Sequence, residues 1–70
     1  MKEVKSTMAG NVWKIVVEAG QEITNGEDVV ILESMKMEIP VSAESDGVVK
    51  EVKVKEGDFV NEGDRLVILE

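Results

Sequence analysis

The sequence predicts an all-β domain, either a flattened barrel or a sandwich, and three observations lead to this prediction. The 70-residue chain repeats one unit twice, at an offset of 37 residues and without a gap. Each copy contains short apolar runs separated by turn signals. No segment sustains the period of about 3.6 residues that marks an amphipathic helix. Two copies are too few for a solenoid, so we expect two half-units that pack face to face around one core.

The half-units are residues 9–33, AGNVWKIVVEAGQEITNGEDVVILE, and residues 46–70, DGVVKEVKVKEGDFVNEGDRLVILE. Their identical pairs include three glycines and the final run Val-Ile-Leu-Glu. Chance similarity rarely aligns such features together, so we interpret the pattern as an internal duplication. We expect residues 1–70 to form a single domain.

Short strands are expected in both half-units. Apolar residues alternate with a period of two at Ile15 and Val17, and the second copy repeats this pattern, which predicts half-buried strands. Runs of branched apolar residues at 29–32 and 66–69 predict buried strands. Pro40 fits an edge strand or a bulge. We expect closure of the sheets to remove the open edges on which small β-domains aggregate.

Glycines provide the turn signals. Ala19-Gly20 and Asn25-Gly26 predict two turns in the first copy, and the second copy has a glycine at both places. Asn-Gly is a strong signal because both residues tolerate a positive φ. We assign all six glycines to turns and bulges: Gly10, Gly20, Gly26, Gly47, Gly57 and Gly63.

The alternation breaks at the same place in both copies. Val12 and Ile15 cannot share a face if the period is strictly two, and neither can Val49 and Val52. A shared irregularity predicts a bulge or kink in each half-unit.

Trp13 and Val16 are apolar at positions where the second copy has Lys50 and Lys53. The lysines indicate that these positions face water, so we expect a partly exposed apolar patch. Two interpretations stay open. Trp13 folds over the barrel edge or the N-terminal strand, or the patch contacts a partner protein.

The composition argues against several classes of function. The chain has no cysteine and no histidine, so it lacks thiolate metal ligands and the usual general base. A net charge of −7 opposes nucleic-acid binding, because phosphates repel an acidic surface. No segment approaches the roughly 20 apolar residues of a membrane span, and the N-terminus does not resemble a signal peptide. We expect a cytoplasmic, monomeric protein that holds no metal, contacts no membrane and is not an enzyme.

The segment between the half-units holds the candidate site, Glu33-Ser34-Met35-Lys36-Met37-Glu38. A strand ending at Ser34 and a return strand over 37–42 predict a hairpin over about 33–42, with its tip near Met35-Lys36. Tight hairpin tips prefer Asn, Asp or Gly, and departures from local rules concentrate at functional sites. A lysine in water and two methionines as core filler also have ordinary structural roles. The motif alone therefore does not decide the function.

Within this duplicated chain, the run Glu33 to Met37 closely resembles the attachment motif of biotinyl domains, the biotin carriers of biotin-dependent carboxylases. The resemblance covers nearly the whole chain. It implies a flattened barrel of two four-stranded antiparallel sheets with quasi-two-fold symmetry, and a modified lysine at an exposed hairpin tip between the halves. Residues 6–10 lack the prolines common in the family. The gapless repeat leaves no room for the inserted thumb of some bacterial carriers, so a thumbless standalone protein or an excised module is implied.

The resemblance implies that Lys36 carries biotin. A biotin protein ligase would make a biotinyl adenylate, and the Lys36 amine would attack it to form an amide. The ligase must supply the base, because none is evident near the lysine. The arm would then carry carboxylate between biotin carboxylase and carboxyltransferase components, and the tether would raise the local concentration of biotin. Met35 and Met37 are expected to be recognised by the ligase, since methionine suits adaptable surfaces.

The flanking residues Glu33, Ser34 and Glu38 are weaker candidates for the same recognition. The two glutamates either solvate the surface or steer the hairpin toward a basic ligase site. Lipoyl domains share the fold but usually place Asp before the lysine and Ala after it, so the methionines favour biotin. A lipoyl carrier modified by a lipoyl ligase, an acceptor of both cofactors, and an unmodified interaction module remain the alternatives.

Overall fold

The computed structural model describes residues 2–70; Met1, which falls within the predicted domain, lies outside the described residues. Eight strands follow one another in this range: β1 (Lys2–Lys5), β2 (Gly10–Ile15), β3 (Glu22–Ile23), β4 (Asp28–Ser34), β5 (Met37–Ser42), β6 (Gly47–Val52), β7 (Phe59–Val60) and β8 (Arg65–Leu69). The all-β prediction is confirmed. From Lys2 to Glu70 there is no helix long and apolar enough to cross a membrane.

The strands form two four-stranded sheets with the orders β1-β8-β6-β3 and β5-β4-β2-β7. All neighbouring strands are antiparallel. If β1–β4 are exchanged with β5–β8, each sheet order becomes the other, which is the expected quasi-two-fold symmetry. Each sheet takes two strands from each half of the chain. The longer strands of the two half-units, β2 with β4 and β6 with β8, lie in opposite sheets as expected, and the short strands β3 and β7 are exchanged between the sheets, so the half-units are interlaced.

Each sheet has two open edge strands, so the structure is a sandwich, and the predicted closure of the sheets does not occur. The edge strands β3 and β7 have only two residues each. The edge strand β5 contains Pro40, which lies at an edge as predicted. Very short strands and proline limit pairing with other chains. Short strands and proline thus protect the edges, which closure of the sheets would have removed.

The core between the sheets is aliphatic. Leu32 and Leu66 are fully buried, and most other core residues are valines. The cluster of buried residues comprises Val4, Val12, Val17, Ile23, Val29, Val30, Leu32, Val41, Ala43, Val49, Val60, Leu66, Val67 and Leu69. Full burial of one such side chain stabilises the fold by about 1.5–3 kcal/mol. Neither aromatic residue contributes to this cluster.

The predicted irregularity is a bulge in each half. The pairing of β2 with β4 shifts register between Val12 and Lys14, and that of β6 with β8 shifts between Val49 and Glu51. The extra residue is Trp13 in the first half and Lys50 in the second. An extra residue bends the strand and redirects its side chain. The bulge leaves Trp13 46% exposed.

Candidate functional site

The hairpin of β4 and β5 has the predicted tip. The two strands pair from Asp28 and Ser42 to Ser34 and Met37, which leaves a two-residue loop, Met35-Lys36. Both loop residues have a positive φ, 52° and 64°. Two consecutive left-handed residues make a type I′ turn, whose twist matches that of the flanking strands.

This turn is made from residues that do not favour it. A left-handed conformation costs an ordinary L-residue roughly 1–2 kcal/mol. The chain places glycine at its other positive-φ positions, as at Asn25-Gly26. Strained backbone that persists at an exposed loop is typical of functional sites. The conformation of the turn therefore does not explain why methionine and lysine occupy these two positions.

Met35→Asn is expected to raise the free energy of unfolding by about 0.5–1 kcal/mol, because asparagine tolerates a left-handed backbone. Little packing is lost, since Met35 is 91% exposed. Urea denaturation followed by circular dichroism measures the effect. Met37→Asn is the control, because Met37 lies in a regular strand, where asparagine is unfavourable. If Met35→Asn is no more stable than the parent, the claim that the backbone is strained at Met35 is wrong.

Lys36 is accessible and unpartnered. The residue is exposed, and its ammonium makes no hydrogen bond or ion pair within residues 2–70. Its neighbours Met35 and Met37 are 91% and 63% exposed. A free amine between two exposed thioethers can be reached by a large reagent or enzyme. No group within the described range contacts the amine to remove its proton, so any acylation needs a base from outside.

The flanking residues lie just below the tip. Ser34 pairs with Met37, and Glu33 pairs with Glu38 in the next row of the hairpin. Both glutamates are exposed, and no ion pair within residues 2–70 includes either of them. Like charges directly opposite on neighbouring strands are destabilising. The structure thus gathers all six predicted residues at one end of the hairpin, with an acidic pair beneath Lys36.

Gly10 lies close to the part of the hairpin just before the tip, a role that the sequence did not reveal. It begins β2, and Gly47 begins β6, so the assignment of these two glycines to turns and bulges is wrong. A Cβ on Gly10 would lie 3.0 Å from the Glu33 carbonyl oxygen and 3.6 Å from the Ser34 Cβ. Because the strands approach so closely, Gly10 sets the position of the residues that precede the tip. The four other glycines have a positive φ in turns, as predicted.

Phe59 is the exposed residue that the sequence reasoning missed. It is 63% exposed on β7 and pairs with Asn11, which in turn pairs with Glu33. Glu38, Glu33, Asn11 and Phe59 therefore form one row across the sheet that carries the hairpin. The sequence contains a signal for this exposure, because the repeat aligns Phe59 with Glu22. A charged counterpart predicts a position that faces water.

Trp13 and Val16 are 46% and 38% exposed, so the predicted apolar patch exists. The N-terminal strand β1 pairs with β8 in the opposite sheet. β1 and the strand that carries Trp13 thus belong to different sheets, which does not favour the interpretation that Trp13 folds over the N-terminal strand.

These features define a class of small β-sandwich domain that displays one accessible lysine at the tip of a strained hairpin. Comparisons with known proteins agree. The biotin/lipoyl family model, described as "Biotin-requiring enzyme", matches residues 2–69. The chain therefore belongs to the biotin/lipoyl family.

Individual relatives resemble the chain over nearly its full length. It is 64% identical to the Biotin/lipoyl attachment protein of Bacillus subtilis over 66 residues, which cover 94% of this chain and 90% of that protein. It is 40% identical to the Biotinylated protein TB7.3 homolog of Mycobacterium leprae, with 97% and 96% covered. The urea carboxylase of Kluyveromyces lactis contains a similar structure, with a TM-score of 0.92 and 33% identity. This match covers 99% of the chain but only 6% of the carboxylase.

Proposed function

We propose that this protein is a biotin carrier, in which Lys36 receives biotin through an amide bond and presents it to other proteins. One observation carries the proposal. Lys36 is exposed and unpartnered in a left-handed turn, on a domain of the biotin/lipoyl family. The exposed amine fits covalent attachment, because no neighbouring group blocks it.

Attachment needs little from the chain itself. The Lys36 ammonium first loses a proton, the nitrogen then attacks the acyl carbon of an activated biotin, a C–N bond forms, the activating group leaves with the electron pair of its bond to that carbon, and the nitrogen loses a second proton. The ligase supplies the base that accepts the first proton, since no base contacts Lys36 in the described range. Acylation removes the positive charge. The paired strands β4 and β5 hold the tip rigidly, which favours accurate placement of the amine in the active site of the ligase.

The bound biotin supplies the position that accepts and releases a carboxyl group. The likeness to a domain of urea carboxylase supports a carrier that moves between a biotin carboxylase and a carboxyltransferase. The tether keeps biotin at a high effective concentration near both enzymes. The chain itself acts as a substrate of the ligase and a carrier for the carboxylase. We further propose that residues 1–70 work as one monomeric domain in the cytoplasm.

The proposal is tested by intact mass spectrometry after incubation with biotin, ATP and a biotin protein ligase. The parent protein is expected to gain one biotinyl group, and Lys36→Arg none. Lys14→Arg is the control, because Lys14 lies on the same sheet and is also exposed. A parent protein without the increment, or a Lys36→Arg protein that keeps it, would overturn the proposal.

The choice between biotin and lipoate is assigned to Met35 and Met37. Both side chains are exposed beside the lysine, where a ligase can contact them, and the name of the Bacillus subtilis relative includes both cofactors. Met35→Asp with Met37→Ala is expected to lower the rate of biotinylation about tenfold or more, because residues that a partner buries at the centre of an interface can each contribute over 1 kcal/mol. The same variant is expected to gain lipoylation by a lipoyl ligase. Parallel initial rates with both ligases measure the change, and unchanged biotinylation would count against the assignment.

A further inference from the structure

The outer faces of the two sheets differ although their backbones are related by symmetry. The sheet that carries Lys36 exposes Trp13 and Phe59, and Val16, which directly follows β2, is exposed as well, at 46%, 63% and 38% respectively. The opposite sheet has charged, exposed residues at the three corresponding positions, which are Lys50, Lys53 and Glu22. Both sheets share the bulge, so the same backbone is formed with charged residues at these positions. The fold therefore does not require the apolar residues, which indicates a binding role.

A polar row of residues connects this apolar surface to the hairpin. Phe59 belongs to the row that crosses the sheet through Asn11 to Glu33 and Glu38. Neighbouring strands lie about 4.8 Å apart, so this row spans about 14 Å. Trp13 lies at the bulge of β2, two residues after Asn11, which pairs with Phe59. One partner that grips the tip can contact Phe59 and Trp13 at the same time.

A second copy of the chain is not the occupant that these observations favour. Each copy has a net charge of −7, so two copies repel each other. The three side chains expose roughly 300 Å² of apolar surface, since a whole aromatic side chain buries about 150–250 Å². A stable interface needs about 800 Å² on each partner. The patch is therefore large enough to add to an interface that also includes the hairpin, but it is too small to hold a dimer by itself.

We propose that Trp13, Val16 and Phe59 form a second docking surface for the biotin protein ligase, in addition to the hairpin. The complementary ligase surface is an apolar depression with lysine or arginine residues on the side that faces Glu33 and Glu38. The acidic pair, which has no ion-pair partner within residues 2–70, gains one in the complex. This inference rests on the proposed biotin carrier function and adds to it the surface that sets affinity for the ligase.

The test compares steady-state biotinylation of the parent, a patch variant and a control variant by a biotin protein ligase. Trp13→Lys with Phe59→Glu introduces the residue types of the opposite sheet and leaves the net charge at −7, since one positive and one negative charge are added. Glu22→Lys with Lys53→Glu is the control on the opposite outer face and also keeps the net charge. The patch variant is expected to raise KM for the carrier about tenfold, with kcat within about twofold. The control is expected to match the parent.

Thermal melts show whether each variant is folded, so an effect on docking can be told from a loss of folding. Phe59→Ala is a milder second variant, because this side chain is mostly exposed. A KM of the patch variant equal to that of the parent overturns the docking surface and leaves the carrier function intact. A change in kcat alone also overturns it. Sedimentation that shows a dimer only for the parent would assign the patch to a second copy instead. Absence of biotinylation in the parent would overturn the carrier function and the docking surface together.

Discussion

Met35→Lys combined with Lys36→Met is expected to lower the rate of biotinylation about 100-fold or more. The two residues share the left-handed turn, with φ of 52° and 64°. The exchange therefore keeps the composition, the charge and the preferences of the backbone. In the variant, however, the lysine stands at position 35, so its amine projects from a different place on the turn and in a different direction. Catalysis is sensitive to such a shift, since a displacement of about 1 Å can cost about 100-fold in rate.

Initial rates with a biotin protein ligase measure this effect, and circular dichroism confirms that the variant folds. Lys14→Arg is the control, since it changes an exposed residue of the same sheet and leaves the hairpin tip intact. A rate within about tenfold of the parent would show that the ligase follows the lysine rather than the geometry of the turn. The role of the strained tip in positioning the amine would then be wrong.

Leu32→Ala is expected to lower the free energy of unfolding by about 3 kcal/mol, and Leu69→Ala by a similar amount. These two leucines are 0% and 1% exposed and are equivalent in the repeat. A domain of this length is stabilised by about 4–10 kcal/mol in total, so either variant should be close to unfolding. Because every sheet contains strands from both halves, each substitution should weaken the whole domain in one cooperative transition.

Urea denaturation followed by far-ultraviolet circular dichroism measures both losses. Met35→Ala removes a comparable side chain that is 91% exposed, and it should change the stability by less than about 0.5 kcal/mol. A loss below about 1 kcal/mol for Leu32→Ala, or two separate transitions, would contradict an interlaced core.

The sequence predicted the features that follow from local chemistry and from the repeat. Buried runs such as 29–32, turn glycines such as Gly26 and the irregularity after Val12 all carry a local signal. The structure has each of them where the pattern placed it. The hairpin tip was also predicted, because a strand that ends at Ser34 and a return strand from Met37 leave only two residues between them.

The interlacing of the halves could not be predicted in this way. A repeat shows that two units are equivalent, but it does not show which unit supplies the neighbour of a given strand. The two-residue strands β3 and β7 carry no period, since two residues cannot alternate. Gly10 was misassigned for a related reason. Its role depends on the Glu33 carbonyl 3.0 Å from a Cβ at that position, and this contact joins two strands distant in sequence.

The internal two-fold gives the fold two equivalent ends, and within residues 2–70 a short loop joins the strands at only one of them. It relates the hairpin of β4 and β5 to the paired strands β8 and β1, where Leu69 lies beside Lys2. The two ends have the same strand arrangement, but only one has a covalent connection between its strands. A cyclised chain in which a second Met-Lys pair joined β8 to β1 would thus have two equivalent tips. Under the proposed carrier function, the single hairpin tip offers one attachment site, so the number of sites depends on how the strands are connected and not on the symmetry of the domain.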